Sequence, residues 1–306
     1  MRTSVAQACG IPRPSQPSGG FRGGYAVPVG YFEAIVLGLV QGLTEFLPIS
    51  SSAHLRIVGD LFGWGDPGAA FTAVVQLGTE SAVILYFWKD IVRIISKWMR
   101  ALPFKIWKQP VAQSDPDVRM GWVVIVGTLP IGILGLVFQD FIETHLRNLY
   151  ITATVLIIFA LLLAAADKYG RRVKDLDSIN LRDGVLLGFG QAMALIPGVS
   201  RSGGTITVGR ALGYTREAAA RVSFLLAIPA VVLSGFFELF KHLGTDAIVL
   251  GPTIVGTLVA FVSGFAVIVW FLRLISTHTY LPFVVYRVIL GVLVFAGLGM
   301  GTLSVF

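Results

Sequence analysis

Six stretches of this chain are long and apolar enough to cross a lipid bilayer, and nothing else in the sequence restricts the fold as much. A helix needs about 20 apolar residues to traverse the hydrocarbon core. The runs at about 68–88, 120–139, 149–166, 218–239, 248–273 and 282–304 reach or approach that length. Only 13% of the 306 residues are charged, against roughly 25% in soluble domains. The expectation is an all-α integral membrane protein, with several spans sharing one lipid-facing surface.

Two further apolar stretches, at about 31–47 and 184–197, are too short to span comfortably. Each runs into a proline (Pro48, Pro197), then a serine-rich turn, then a second short helix. Broken backbone at membrane depth is tolerated only where protein or a wet cavity covers it, so both pairs read as re-entrant helical hairpins. They also resemble each other. A single shift of 150 positions aligns Gln41 with Gln191, Ser50 with Ser200, Ser52 with Ser202, Gly59 with Gly209 and Gly63 with Gly213. The chain therefore divides into repeat halves at about 31–166 and 184–304, each one hairpin plus three spans, within a membrane domain of residues 30–306. Residues 1–29 are rich in Gly, Pro and Ser and read as a flexible tail or as sequence upstream of the true start. The single cysteine, Cys9, excludes an internal disulfide.

Loop charge sets orientation. Segment 89–119 carries seven Lys or Arg, and segment 167–183 carries Lys168, Arg171, Arg172, Lys174 and Arg182, so both are expected on the cytoplasmic side. The first hairpin then enters from outside and the second from inside, an inverted repeat whose tips meet near the midplane. Both termini would lie outside. The net charge of +7 suits anionic headgroups and phosphate ligands, and nothing in it calls for nucleic acid.

The residues that carry chemistry cluster at the hairpin turns. Gln41 and Glu45 share a helix face. Ser50 reads as the N-cap of the next helix, which places Ser51 at a helix N-terminus where free N–H groups favour an anion, with His54 one turn on. A carboxylate at membrane depth costs at least about 2–3 kcal/mol, so Glu45 needs a reason to be there; capping a helix or pairing with an arginine is the bland one. In the second turn, Pro197-Gly-Val-Ser200-Arg201-Ser202-Gly-Gly-Thr205, glycines let backbone approach a ligand and Arg201 offers a planar fork matched to phosphate. Arg287, beside Tyr286 in the last span, is either a second phosphate clamp or an arginine snorkelling to the interface. Glu80, one turn after Gln76, reads either as lining a polar cavity or as paired with a neighbouring helix, and Arg216, Glu217 and Arg221 as a solvated helix start.

These motifs together resemble the undecaprenyl-diphosphate phosphatase family, the BacA type linked to bacitracin resistance, from about residue 30 to the end. The carrying patterns are Gln41-x-x-x-Glu45, Ser51-Ser52-x-His54 preceded by Ser50, the run Pro197 to Thr205, and Tyr286-Arg287. The resemblance implies cation-assisted hydrolysis of undecaprenyl diphosphate to undecaprenyl phosphate and inorganic phosphate, recycling the carrier for peptidoglycan. It further implies Mg²⁺ or Ca²⁺ at Glu45 and Gln41, a polyprenyl diphosphate partner among the membrane lipids, and family members that are often dimeric. The catalytic set carried over is Glu45, Ser51 and His54; the phosphate-binding set is Ser200, Arg201, Ser202, Thr205 and Arg287. Many relatives have Glu where this chain has Gln41, and an amide cannot act as a base at neutral pH. Ser51 is expected to attack phosphorus with His54 or Glu45 as its base; direct attack by water is the alternative. A polyprenyl-phosphate flippase or secondary transporter is the rival reading, because broken helices in inverted repeats also build carriers.

Overall fold

The computed structural model describes residues 29–103, 109–242 and 248–305; the N-terminal tail expected at 1–29 falls almost wholly outside them. In chain order the helices are α1 (Tyr31–Thr44), α2 (Ser51–Leu61), α3 (Gly68–Tyr86), α4 (Trp88–Ala101), α5 (Pro116–Val137), the single turn α6 (Gln139–Phe141), α7 (Leu149–Tyr169), α8 (Leu181–Ala192), α9 (Arg201–Ala211), α10 (Arg216–His242), α11 (Leu250–Thr277) and α12 (Leu281–Gly299). Six of these, α3, α5, α7, α10, α11 and α12, are long and apolar enough to cross a membrane, within a few residues of the ends read from hydropathy. The chain is a multi-pass membrane protein.

The four short helices cannot cross. At about 1.5 Å per residue, the 14 residues of α1 and the 11 of α2 each fall well short of the roughly 30 Å core. The same holds for α8 and α9, which fits re-entrant pairs. The halves pack crosswise: α1 lies against α11 of the other half and α8 against α5, while α3 meets α10 and α7 meets α12. Glycines make the crosswise contacts close. A Cβ on Gly38 would strike the backbone of Gly256, and one on Gly188 would sit 2.5 Å from the Gly127 carbonyl oxygen, so α1–α11 and α8–α5 meet backbone to backbone.

The 150-residue periodicity extends to backbone detail. Among the described residues the two non-glycine positions with positive φ are Ser50 at 72° and Ser200 at 71°, each immediately before a short helix. After those helices Gly63 and Gly213 also take positive φ, and Trp64 and Tyr214 donate their N–H groups to Gly59 and Gly209 respectively. Left-handed backbone at a serine is uncommon and gathers where function holds it in place.

Charge concentrates at the two ends of the bundle. At one end Asp90 pairs with Arg93 and Arg221, Asp167 with Arg210 and Arg216, and Lys174 with Asp183. At the other, Asp66 joins Arg56 and Arg147. Arg216 and Arg221 are thus partly buried ion-pair members; the expected solvated helix start is corrected, because the carboxylates they bind lie on α4 and α7, far off in sequence. Segment 89–119 is more than a charged loop. Its first part forms α4, which turns Trp88, Val92, Ile95 and Met99 outward beside Lys89 and Arg93, the pattern of a helix lying in the membrane interface.

Candidate active site

The two serine-rich turns meet. Ser202 Oγ donates to the Leu47 carbonyl of the first turn at 3.1 Å, and Ser200 Oγ accepts from Gly203 N–H at 3.1 Å, capping α9. Ser50 makes no such cap. Its hydroxyl turns to Ser52 Oγ at 3.2 Å, which leaves the N-terminus of α2 open and corrects the capping expected of it.

Glu45, 6% exposed, is the hub. Its Oε2 accepts from Gln41 Nε2 at 2.7 Å and from Ser51 Oγ at 2.5 Å, while Oε1 accepts from Arg201 Nη2 at 2.6 Å. The helix spacing that put Gln41 and Glu45 on one face accounts for the first contact; only the meeting of the turns accounts for the third. A hydroxyl donating to a buried carboxylate is a nucleophile resting on a base. Arg201 Nη1 is buried and has no hydrogen-bond partner among the described residues, a donor not spent on the protein.

His54 takes a different place from Ser51's base. Its Nδ1 lies 2.7 Å from the Ser50 carbonyl oxygen; a carbonyl can only accept, so Nδ1 carries the proton and, in the neutral ring, Nε2 is an acceptor. The Tyr286 hydroxyl lies 2.6 Å from that Nε2. Tyr286 was quoted in the sequence only as the neighbour of Arg287. Its role surfaces because α12 packs beside the first hairpin, a juxtaposition no local spacing announces.

Arg287 neither snorkels nor points into the open site. It is fully buried and donates to three backbone carbonyls: Leu156 on α7 at 3.1 Å, Pro48 at 3.0 Å and Gly198 at 2.8 Å. Pro48 and Gly198 belong to opposite turns, so one guanidinium ties both hairpin tips together. Thr205, also buried, bonds back to the Arg201 carbonyl at 3.0 Å. The structure thus gathers Gln41, Glu45, Ser51 and Arg201 in direct contact, sets His54 beside them, and turns Ser200, Ser202, Thr205 and Arg287 onto protein groups that hold the turns. Glu80 of α3 joins the cluster, Oε2 lying 3.6 Å from Arg201 Nη2.

Two openings flank the first turn. An apolar groove of about 810 Å³ is lined by Leu47, Ile49, Ala266, Trp270, Phe283 and Tyr286. A smaller pocket of about 210 Å³ includes Ser52, Arg56, Asp66, Gln76, Arg147 and Pro197. Burial tends to raise the Asp66 carboxyl, but the guanidinium of Arg147, a hydrogen bond from Gly68 N–H and the charge of Arg56 together hold it below its ordinary value.

The description "Bacitracin resistance protein BacA" matches residues 34–293. The chain is 58% identical over 280 residues to an undecaprenyl-diphosphatase of Micrococcus luteus, covering 90% of this chain and 99% of the relative. It is 59% identical over 279 residues to an undecaprenyl-diphosphatase of Kineococcus radiotolerans, covering 91% and 97%. An undecaprenyl-diphosphatase 2 of Agrobacterium fabrum is 57% identical over 278 residues, covering 90% and 98%.

Proposed function

The chain belongs to the BacA family of bacitracin resistance proteins, and from that premise we propose that it hydrolyses undecaprenyl diphosphate to undecaprenyl phosphate and inorganic phosphate, with Ser51 as nucleophile and Glu45 as its base. The contact that carries this assignment is Ser51 Oγ to Glu45 Oε2 at 2.5 Å. A pure lipid carrier needs groups that orient a headgroup but no hydroxyl poised on a carboxylate.

Ser51 Oγ attacks the terminal phosphorus and its proton passes to Glu45 Oε2. The bond to the bridging oxygen breaks, and undecaprenyl phosphate departs with that oxygen. Arg201 Nη1 and the uncapped N-terminus of α2 receive the charge that spreads over the equatorial oxygens. In-line displacement places the leaving group, and afterwards the attacking water, on the side opposite the serine. Tyr286 lines the apolar groove and its hydroxyl rests on His54 Nε2, so when water attacks the phosphoserine its proton passes through Tyr286 to His54 Nε2, the P–Oγ bond breaks, and Glu45 returns its proton to Ser51 Oγ. Ser200, Ser202, Thr205 and Arg287 shape the phosphate seat through the backbone they hold. Gln41 Oε1 is buried without a donor beside Glu45, an oxygen-rich setting suited to a hard cation. Gln41 and Glu45 would hold Mg²⁺ or Ca²⁺ there, and the bound ion would neutralise charge on the phosphate oxygens. All of these residues come from one chain, so a homodimer would join two complete sites.

Purified protein is expected to release phosphate from undecaprenyl diphosphate and, on rapid quenching, to carry phosphate on Ser51. Ser51→Ala should lower turnover about a thousandfold or more; full activity in that variant would remove the nucleophile and leave direct attack by water. The polyprenyl chain is assigned to the apolar groove, whose lining includes Tyr286, the partner of His54. Filling it with Ala266→Phe should raise KM for undecaprenyl diphosphate by about tenfold with kcat nearly unchanged, as expected when uniform binding is lost. Steady-state kinetics in mixed micelles checks this, and an unaltered KM would place the chain elsewhere.

A further inference from the structure

Glu80 is a buried carboxylate that the steps above leave unused. It lies beyond the middle of α3, 1% exposed, and among the described residues neither of its oxygens accepts a hydrogen bond. Its nearest cationic partner, Arg201 Nη2 at 3.6 Å, is already committed to Glu45 at 2.6 Å. Gln41 Oε1 is likewise buried and without a donor. An ionised carboxylate at membrane depth persists only with a counter-charge. Two carboxylates around the Arg201 guanidinium also leave a net negative cluster where a diphosphate has to arrive, since Arg287 is spent on backbone carbonyls. A proton on Glu80 would remove one of those charges but would do nothing for the arriving phosphate oxygens.

We propose that Glu80 supplies, from α3, the second carboxylate of a divalent-cation site completed by Glu45 and Gln41 Oε1. The inference rests on the phosphatase reading, in which the ion sits between the carboxylates and the diphosphate. Carboxylate and amide oxygens without nitrogen or sulfur are the donor set of Mg²⁺, Ca²⁺ or Mn²⁺. Sequence reading paired Glu80 with a neighbouring helix because nothing local links α3 to the hairpin turns.

The test is Mn²⁺ binding to the full-length protein in detergent without substrate, read from the free-ion paramagnetic resonance signal, with Mg²⁺ as competitor. Wild type should bind Mn²⁺, and Glu80→Gln should weaken binding roughly tenfold or more. Gln41→Glu, which adds a carboxylate, should tighten it. Equal affinity in wild type and Glu80→Gln overturns the inference, as does absence of binding in wild type. Should Glu80→Gln fail to fold, unchanged affinity in Gln41→Glu overturns it. Phosphate release from undecaprenyl diphosphate by wild type, measured alongside, separates the two readings. Release together with Glu80-independent Mn²⁺ binding sinks the cation site and spares the phosphatase; Glu80-dependent binding with no release does the reverse.

Discussion

Glu45→Gln is expected to cut kcat by about 10²–10⁴-fold, the range for loss of a general base. The substitution keeps the side chain's size and one acceptor oxygen, so Gln41, Ser51 and Arg201 retain a neighbour of the same shape. What disappears is the ability to take the proton of Ser51, whose hydroxyl now rests 2.5 Å from the carboxylate, and the negative charge that anchors Arg201 at 2.6 Å. KM should change far less than kcat, because Arg201 Nη1 and the N-terminus of α2 still meet the phosphate. Single-turnover phosphate release separates the two quantities. A kcat close to that of the parent would mean that Glu45 is an ion-pair partner only, and the base would have to be sought at His54.

Arg287→Lys should be almost as damaging, for a different reason. An arginine whose task was to contact phosphate could be shortened to lysine at the cost of affinity alone. Here the guanidinium holds three carbonyls on Leu156, Pro48 and Gly198, and one ammonium on a flexible stem cannot match that fan of acceptors. Each buried carbonyl left unpaired costs about 1–3 kcal/mol, so with two of the three abandoned the hairpin tips lose about 2–6 kcal/mol of restraint. Thermal stability should fall together with turnover, and activity should drop about a hundredfold or more as Glu45 and Arg201 move out of register. A variant with unchanged melting temperature and raised KM alone would return Arg287 to the phosphate.

These two expectations mark where local pattern stops. Gln41 and Glu45, four residues apart in one helix, were placed together by helical spacing, and Ser51 at the head of α2 followed from the proline and serines around it. Arg201 on the opposing turn stood out in the sequence as a candidate for phosphate binding, and its contact with Glu45 comes from the meeting of the two turns. The internal 150-residue shift was readable because two copies of one backbone path need the same small and turn-forming residues, down to the left-handed serines. By contrast, α4 was hidden inside a basic loop, since its Lys and Arg are interleaved with the apolar residues that make its stripe. The ion pairs of Arg216 and Arg221 were equally hidden, because their acids come from other helices.

Membrane residence, the six spans and the choice of Glu45, Ser51, His54 and Arg201 as candidates for one site were read from sequence alone. Hydrophobic length and helical or turn periodicity act between near neighbours, and near neighbours are what a sequence displays. The tertiary structure decided the assignments within that set: Glu45 rather than His54 against Ser51, Tyr286 against His54, Arg287 on the hairpin carbonyls, and Glu80 beside Arg201. The Glu45–Ser51 contact is local to the first turn, but the others depend on how α3, α7 and α12 close around the two hairpins. Contacts among elements more than a hundred residues apart are set by the packing of whole helices, which no single segment encodes.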